Sequence, residues 1–219
     1  MHKIKGVFVT GTDTGIGKTL VSAVLAEAWH GCYWKPFQTG LSTEAGDTET
    51  VRHLAHLHTS RIIPPYCELQ APLSPYMAAR KEGMSLDPQA ITLPETRYPL
   101  IVEGAGGLMV PITSDCLMID LIARLGLPVI LVARAGLGTI NHTLLSLKAL
   151  SHRHIPVCGF IFNGGDNAEN RHFIENHSNI KCLFHIPFYE QISPLTISTI
   201  AQIVPPLEQM AMEDSLIFR

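Results

Sequence analysis

The amino-acid sequence predicts an α/β protein with a mostly parallel sheet and helices on both of its faces. Short apolar runs rich in β-branched residues alternate with helical patterns along the whole chain. These runs are apolar on both faces, as expected for strands that are covered on two sides. Sheets of this kind bind ligands outside the carboxyl ends of their strands, so polar residues at those ends are candidate functional residues.

The first half of the chain begins with the strand GVFVT, followed by a helix from about residue 18 to residue 29 and by the strand CYWKPF. Between residues 41 and 99 the pattern is less regular, with prolines concentrated in 64–99. It predicts one helix at about 48–58 and then a long excursion over the surface. Long ordered loops in compact domains tend to be functional.

The second half returns to regular alternation. YPLIVEGAGG predicts a strand, CLMIDLIARLG a helix and LPVILVA a further strand. TINHTLLSLKALSH predicts a helix and IPVCGFIFN a strand, and IKCLFHIPF is expected to be the last strand. The first three of these strands are separated by helices, which indicates parallel crossovers.

Length and composition limit the classes of function. The 219 residues are 46% apolar and 16% charged, which allows a sizeable core and argues against disorder. The net charge of -3 gives no basic surplus for nucleic-acid binding, and no apolar run is long enough to span a membrane. The five cysteines are scattered without a Cys-x-x-Cys pair, which is typical of reduced thiols. We expect one domain over 1–219, located in the cytoplasm, without nucleic-acid or membrane partners.

The segment VFVTGTDTGIGKTLVS predicts a phosphate site. Its Gly17-Lys18-Thr19 follows a strand and opens a helix, so backbone N–H groups and the helix N-terminus can face phosphate oxygens. Lys18 would reach the terminal phosphates and the Thr19 hydroxyl would bind Mg²⁺. The usual first glycine is replaced by Thr12 and displaced to Gly11. The alternative is a glycine-rich turn without a ligand, but the full context favours a P-loop NTPase-like domain.

Two carboxylates are candidate magnesium ligands. Glu103 stands where the apolar run PLIV meets EGAGG, at the expected tip of a strand. The alternative for Glu103 is a surface glutamate. Asp47 lies at the expected start of a helix, where a capping role would explain it equally well. Spacing alone does not decide between these roles.

Three further polar residues end or follow strands. Lys35 closes the run CYW before a proline and is either a surface charge or a cation aimed at a substrate anion, with the Thr39 hydroxyl four residues later. Asn163 ends GFIFN and offers both a donor and an acceptor to an adenine edge. Its alternative is a turn residue before glycine.

Taken together, these motifs resemble the dethiobiotin synthetase family. The resemblance runs through GTDTGIGKT, KPFQTG, PLSPYMAA, VEGAGGLMVPI, GLGTINHTLL and GFIFNG in that order, and it weakens after about residue 164. It implies a homodimeric ligase of biotin synthesis that joins CO₂ to 7,8-diaminononanoate with ATP and Mg²⁺. One amine captures CO₂ as a carbamate, the carbamate attacks the γ-phosphate, and the second amine closes the ring.

The resemblance also implies roles for individual residues. Lys18, Lys35 and Thr39 would act in catalysis, and Thr19, Asp47 and Glu103 would hold Mg²⁺. The implied nucleotide-binding set is Gly15, Ile16, Gly17, Lys18, Thr19, Leu20, Asp47, Glu103, Gly104, Ala105, Gly106, Asn163, Gly164, Pro187, Phe188 and Tyr189. The implied substrate-binding set is Thr14, Lys35, Thr39, Gly106, Gly107, Leu108, Val110 and Asn141, with the segment around Asn141 near a dimer interface.

The chain departs from the family pattern at several positions. Gly15 stands where some members carry a glutamate, and Tyr76 replaces a histidine. No obvious glycine precedes IPF, which leaves the far wall of the adenine pocket, around 187–190, undefined.

Two other classes of protein share this kind of loop. A nucleotide-switch ATPase of the partition type would carry an additional lysine early in the loop, where this chain has Asp13. An amidase of the cobyrinate type normally carries a glutaminase domain, for which 219 residues are too few. The partition-type ATPase is the main alternative to the ligase.

Overall fold

The structure is a computed structural model that describes residues 5–210. Its strands within that range are β1 (Gly6–Gly11), β2 (Cys32–Trp34), β3 (Phe37–Gln38), β4 (Ile62–Ile63), β5 (Cys67–Glu68), β6 (Leu100–Gly107), β7 (Val129–Arg134), β8 (Val157–Asn163) and β9 (Cys182–Ile186). Its α-helices are α1 (Lys18–Ala28), α2 (Asp47–Leu54), α3 (Pro75–Lys81), α4 (Met118–Leu125), α5 (Thr139–His152), α6 (Ala168–Ser178) and α7 (Pro194–Ala201).

Seven strands form one sheet in the order β4-β2-β6-β1-β7-β8-β9, and every neighbouring pair is parallel. Strands β3 and β5 form a separate parallel pair. The chain moves to one side of β1 in its first half and to the other side from β7 onward. The carboxyl end of β1 is therefore a topological switch point, where sheets of this class place their ligands.

Strand residues alternate between two apolar layers, one on each face of the sheet. In β1, Phe8 packs into the layer formed with α4 and α5, whereas Val7 and Val9 pack into the layer formed with α1, α2 and α7. Both layers consist of fully buried side chains, such as Phe160 on one face and Val21 on the other. The predicted α/β fold with a parallel sheet and helices on both faces is confirmed.

The expected elements lie where the sequence places them, with two differences in length. The helix expected at 48–58 is shorter, because α2 ends at Leu54 and His56 adopts a left-handed φ of 46°. Strand β6 continues to Gly107, so Glu103 lies inside the strand and not at its tip. The end of α2 has no glycine signal, because its left-handed residue is a histidine. The end of β6 is also not marked, because the strand continues through glycines, which usually interrupt strands.

The segment 41–99 is more structured than the expected surface excursion. Strand β4 extends the main sheet beside β2, and α3 begins at a proline behind the capping residue Ser74. Helices α6 and α7 are also absent from the elements expected above. Each buries only two residues, Ile174 and Ser178 in α6 and Ile197 and Ile200 in α7, so their apolar periodicity is weak.

In residues 5–210, every helix is too short or too polar to cross a bilayer. The expectation of one domain over 1–219 includes residues 1–4 and 211–219, which lie outside the described range, and it stays a prediction.

The contact between β8 and β9 leads to a prediction about stability. A Cβ atom at Gly159 would lie 2.6 Å from Leu183 Cγ and 2.8 Å from the Lys181 carbonyl oxygen, whereas one at Gly136 would meet nothing within 4 Å. Gly159→Ala should therefore lower the free energy of unfolding by about 1–3 kcal/mol through overpacking. Gly136→Ala is the control and should stay within about 0.5 kcal/mol of the parent. Urea unfolding followed by circular dichroism measures both, and equal transition midpoints would contradict the prediction.

Candidate active site

The carboxyl ends of the central strands surround a cavity of about 470 Å³. The loop after β1 forms one side, Lys35 after β2 and residues of β6 form the floor, and the start of α2 closes another side. The opposite wall comes from the segment between β5 and α3, through Pro72, Leu73, Ser74 and Pro75.

The phosphate loop has the backbone shape that its glycines allow. Gly15 and Gly17 have φ values of 68° and 94°, a region that side chains rarely adopt, and Gly17 immediately precedes α1. The Lys18 ammonium is buried and donates to the carbonyl oxygen of Asp13 at 2.9 Å, so the side chain folds back over its own loop. An exposed ion pair of 3.0 Å joins Asp13 to Arg134 at the end of β7.

Lys35 is the centre of the charged network. It is 5% exposed, and its Nζ lies 2.8 Å from Asp47 Oδ2 and 2.9 Å from Glu103 Oε1. Burial by itself lowers the pKa of this ammonium, but the charges of Glu103 and Asp47 outweigh burial and raise the pKa above its ordinary value. Lys35 is therefore a permanent cation on the floor of the cavity.

Thr19 joins the two carboxylates from the other side. Its Oγ1 donates to Asp47 Oδ1 at 2.6 Å and lies 3.0 Å from Glu103 Oε1. Burial raises the pKa of the Asp47 carboxyl, but the charge of Lys35 and the hydrogen bonds from Lys35, Thr19 and Gln38 lower it below its usual value. Asp47 is accordingly held as a carboxylate.

Lys18 stands in a less favourable environment than Lys35. Burial, followed by the positive charge of Lys35, lowers the pKa of Lys18 to about 8. An anion placed in the loop would offset both effects, because a nearby opposite charge favours the charged form. A bound triphosphate would therefore favour the charged form of Lys18.

The donor set fits Mg²⁺ bound together with a nucleotide. Thr19, Asp47 and Glu103 supply a hydroxyl and two carboxylates, and Mg²⁺ commonly takes one or two carboxylates plus phosphate and water oxygens. Within residues 5–210, no group of three or more His, Cys, Asp or Glu side chains is arranged to hold a metal. A site completed by phosphate oxygens agrees with both observations.

The structure decides three of the alternatives that the sequence left open. Lys35 and Glu103 are buried, so the interpretation as surface charges is wrong for both. Asp47 is the first residue of α2, the capping position is held by Gly46, and no side-chain cap occurs there. The Asp47 carboxylate instead turns into the charged network.

Most predicted residues line the cavity. They are Thr14, Gly15, Gly17, Lys18, Thr19, Lys35, Thr39, Asp47, Glu103, Ala105, Gly106 and Val110. The side chains of Ile16, Leu20 and Leu108 pack into the apolar layers instead, and Gly104 and Gly107 lie in β6. Leu108 is only 5% exposed and is not a cavity-lining side chain, because it packs in the layer of α4.

The predicted adenine-binding residues lie together at the neighbouring strand ends. Asn163 pairs with Ile186 in the sheet, which brings Pro187, Phe188 and Tyr189 beside it. The Asn163 amide nitrogen donates to the Ile16 carbonyl oxygen at 2.9 Å, so the side chain rests on the phosphate loop. The Asn163 side chain thus joins the end of β8 to the phosphate loop, and Asn163 also precedes Gly164, which has a φ of 92°.

Asn141 lies apart from the other predicted substrate residues. It is exposed on α5 and lines a second cavity of about 600 Å³, together with Leu137, Leu144, Leu145 and Lys148. Within one chain it does not reach the cavity at the phosphate loop.

Sequence reasoning missed the wall formed by Gly40, Thr43, Glu44 and the segment 72–75. The sequence did contain a signal for this wall, since the motif PLSPYMAA contributes to the resemblance. The position of the wall beside the cavity, however, depends on the pairing of β3 with β5. Two buried polar residues near the carboxylates, Tyr33 and Gln38, were also missed, because each lies in a short apolar strand.

Solved structures share the fold at low sequence identity. A ParA family ATPase from Chlorobium tepidum TLS superposes with a TM-score of 0.53 at 14% identity, covering 92% of this chain and 93% of that chain. The pNOB8 ParA structure gives a TM-score of 0.50 at 13% identity, over 79% of this chain and 75% of that chain. At this identity the likeness shows the fold alone, and it agrees with a P-loop NTPase-like domain.

Comparison with protein families and curated proteins is more specific. A family model described as an AAA domain matches residues 5–196. The Biotin biosynthesis bifunctional protein BioCD of Bordetella avium is 52% identical over 95% of this chain, which spans only 45% of that protein. ATP-dependent dethiobiotin synthetase BioD of Paramagnetospirillum magneticum is 50% identical over 93% of this chain and 96% of that protein. The corresponding protein of Nitrobacter hamburgensis is 45% identical over 90% of this chain and 91% of its own length. Since these two relatives match over nearly their whole lengths, the chain belongs to the ATP-dependent dethiobiotin synthetase family.

Proposed function

We propose that this chain, a P-loop ligase of biotin biosynthesis, joins CO₂ to 7,8-diaminononanoate with ATP and Mg²⁺ and releases dethiobiotin, ADP and phosphate. The observation that carries the proposal is the buried Lys35 ammonium beside the phosphate loop, on the floor of a cavity that is closed by the segment 72–75. A cation in that place serves a reaction in which two anions must meet.

The chemistry proceeds in three steps. One amine of the substrate loses a proton and captures CO₂ as a carbamate. A carbamate oxygen then attacks the γ-phosphorus of ATP, and ADP leaves with the electrons of the broken P–O bond. The second amine attacks the carbonyl carbon of the resulting carbamic–phosphoric anhydride, a proton is lost, and phosphate leaves as the ring closes.

Each cation has a separate task in this scheme. Lys18 and the loop backbone bind the terminal phosphates, as the P-loop motif predicts. Lys35 lies between the loop and the open cavity, where it can neutralise both the carbamate and the γ-phosphate. Phosphoryl transfer depends mainly on positioning and charge stabilisation, so two fixed cations account for most of what the site has to supply.

Substrate contacts come from the polar rim of the cavity. Thr39 follows β3 and Thr14 lies in the loop, close to Gly106, so their hydroxyls flank the place where a carbamate would lie. Thr19, Asp47 and Glu103 would hold Mg²⁺, which would supply positive charge beside the phosphate groups of the nucleotide.

A homodimer explains the position of Asn141. Leu137 and Leu145, beside it, are 103% and 60% exposed, which is unusual for leucines that line a groove. Apposition of two α5 helices would cover these leucines and would bring Asn141 of one chain toward the substrate of the other. A cytoplasmic location and the absence of nucleic-acid partners belong to the same proposal.

The partition-type ATPase remains the alternative in a different class. The solved structures favour it only through the shared fold. Its additional loop lysine is replaced by Asp13, whose carboxylate pairs with Arg134, while Lys18 donates to the Asp13 carbonyl oxygen. An acid in place of the additional lysine argues against the switch.

Turnover should require every substrate. We expect ADP release only when the diamine, bicarbonate and Mg-ATP are all present, because the phosphoryl acceptor forms only from the diamine and CO₂. A coupled assay of ADP release with each component omitted in turn measures this. ADP release that is indifferent to the diamine would contradict the ligase function and favour the switch ATPase.

The role of Lys35 predicts a loss of rate with retention of nucleotide. Lys35→Ala should lower kcat by at least about 100-fold, the scale on which one group that stabilises transition-state charge contributes. Nucleotide should still bind through Lys18 and the loop. Lys181→Ala, which removes an exposed lysine before β9, is the control and should behave as the parent. A near-normal kcat for Lys35→Ala would exclude the proposed role.

The contact between the loop and Asn163 predicts a difference between two glycines with similar backbones. A Cβ at Gly17 would lie 2.1 Å from Asn163 Nδ2, whereas one at Gly15 would meet nothing within 4 Å. Gly17→Ala should weaken ATP binding by tenfold or more, whereas Gly15→Ala should show only the smaller effect of backbone strain. Calorimetric titration with ATP measures both, and equal losses would mean that the Asn163 contact is unimportant.

A further inference from the structure

Tyr33 is a buried polar residue with no place in the chemistry described so far. It lies in β2, opposite Ile101 of β6, and its side chain is fully buried. Because side chains alternate along strands, Tyr33 and Lys35 share a face with Ile101 and Glu103. The Tyr33 hydroxyl donates to Glu103 Oε2 at 2.9 Å.

This hydrogen bond divides the Glu103 carboxylate between two environments. Oε1 accepts from Lys35 at 2.9 Å and lies 3.0 Å from Thr19 Oγ1, on the side of the cavity. Oε2 is held by Tyr33 on the side of the core. With both oxygens engaged, the carboxylate is fixed in rotation and presents Oε1 to the cavity.

Gln38 holds the second carboxylate in a comparable way. It is 3% exposed, and its Oε1 accepts from the Asp47 backbone N–H at 3.0 Å. Its Nε2 donates to the Thr39 carbonyl oxygen at 3.1 Å and to Asp47 Oδ2 at 3.4 Å. The first residue of α2 is therefore tied to β3 through one side chain, which leaves Asp47 Oδ1 directed at Thr19.

We propose that Tyr33 and Gln38 are positioning residues, which hold Glu103 and Asp47 so that one oxygen of each faces the Thr19 hydroxyl and the Mg²⁺ that binds there. This inference rests on the proposed function, since it assumes that these two carboxylates bind Mg²⁺. Outer partners of metal-binding carboxylates typically change metal affinity or activity by 10–100-fold when they are removed.

Neither residue lines the cavity. An effect on Mg²⁺ would therefore act through the groups that they contact, which are Glu103 for Tyr33 and Asp47 and the Thr39 carbonyl for Gln38. Conservative variants separate an effect on the position of the carboxylates from an effect on packing. Tyr33→Phe keeps the ring and removes only the hydroxyl, and Gln38→Met keeps the length of the side chain without its polar atoms. Gln38→Asn keeps a neutral amide but shortens the side chain by one methylene, so its reach to Asp47 is reduced. Tyr66→Phe, which removes a hydroxyl from a tyrosine that is 42% exposed, is the matched control.

The test is the gain in nucleotide affinity that Mg²⁺ confers. Calorimetric titration with a non-hydrolysable ATP analogue is run in EDTA and in saturating Mg²⁺. The readout is the dissociation constant in EDTA divided by the dissociation constant in Mg²⁺. Tyr33→Phe and Gln38→Met should each reduce this ratio about tenfold, with the affinity in EDTA within about twofold of the parent. The Mg²⁺ concentration for half-maximal turnover should rise in parallel, and Tyr66→Phe should match the parent.

The outcomes separate this inference from the function on which it rests. A parent ratio that exceeds one and stays unchanged in the variants, with or without a lower Tm, would overturn the positioning role alone. A parent affinity that is indifferent to Mg²⁺ would overturn both the magnesium site and the positioning role. Should Gln38→Met fail to fold, the neutral variant Gln38→Asn decides for that residue, and an unchanged ratio there overturns the positioning role of Gln38.

Discussion

The buried ammonium of Lys35 organises the site. Lys35 lies on the cavity floor, 2.9 Å from the carboxylate of Glu103 in a sheet strand and 2.8 Å from that of Asp47 at the start of a helix. A buried charge is tolerated only when it is paired, and removing one partner leaves the other uncompensated. The end of β2, the middle of β6 and the start of α2 are consequently held in one arrangement. Thr19 then joins the phosphate loop to that arrangement through both carboxylates.

The two lysines differ in a way that suits an ATP-dependent ligase. Lys35 has its counter-charges in place and stays charged, whereas burial and the charge of Lys35 lower the pKa of Lys18 to about 8. A bound anion would therefore stabilise the charged form of Lys18. Lys35 is already paired with two carboxylates and acts through its position. The protein itself supplies the carboxylates that pair with Lys35, and the triphosphate is expected to supply the negative charge beside Lys18.

Much of the fold was predictable because its signals are local. Apolar runs with β-branched residues identified the central strands, and the Gly17-Lys18-Thr19 motif located the loop and the start of α1. The left-handed histidine at the end of α2 and the sparsely buried helices α6 and α7 carry weak local signals, and these elements were shorter than expected or missed. Strands β4 and β5 were missed because they exist only through pairing with distant strands.

The sequence by itself determined the family, through its motifs, and it predicted a phosphate loop with a lysine and a glutamate at strand ends, although Glu103 lies inside β6. It did not determine whether Lys35 and Glu103 are surface charges or whether Asp47 caps a helix, because burial and pairing depend on residues up to 84 positions apart. Only the tertiary structure brought them within hydrogen-bond distance, and only it revealed that Tyr33 and Gln38 hold the two carboxylates. Those contacts arise from strand register and from the start of α2, which local sequence patterns do not encode.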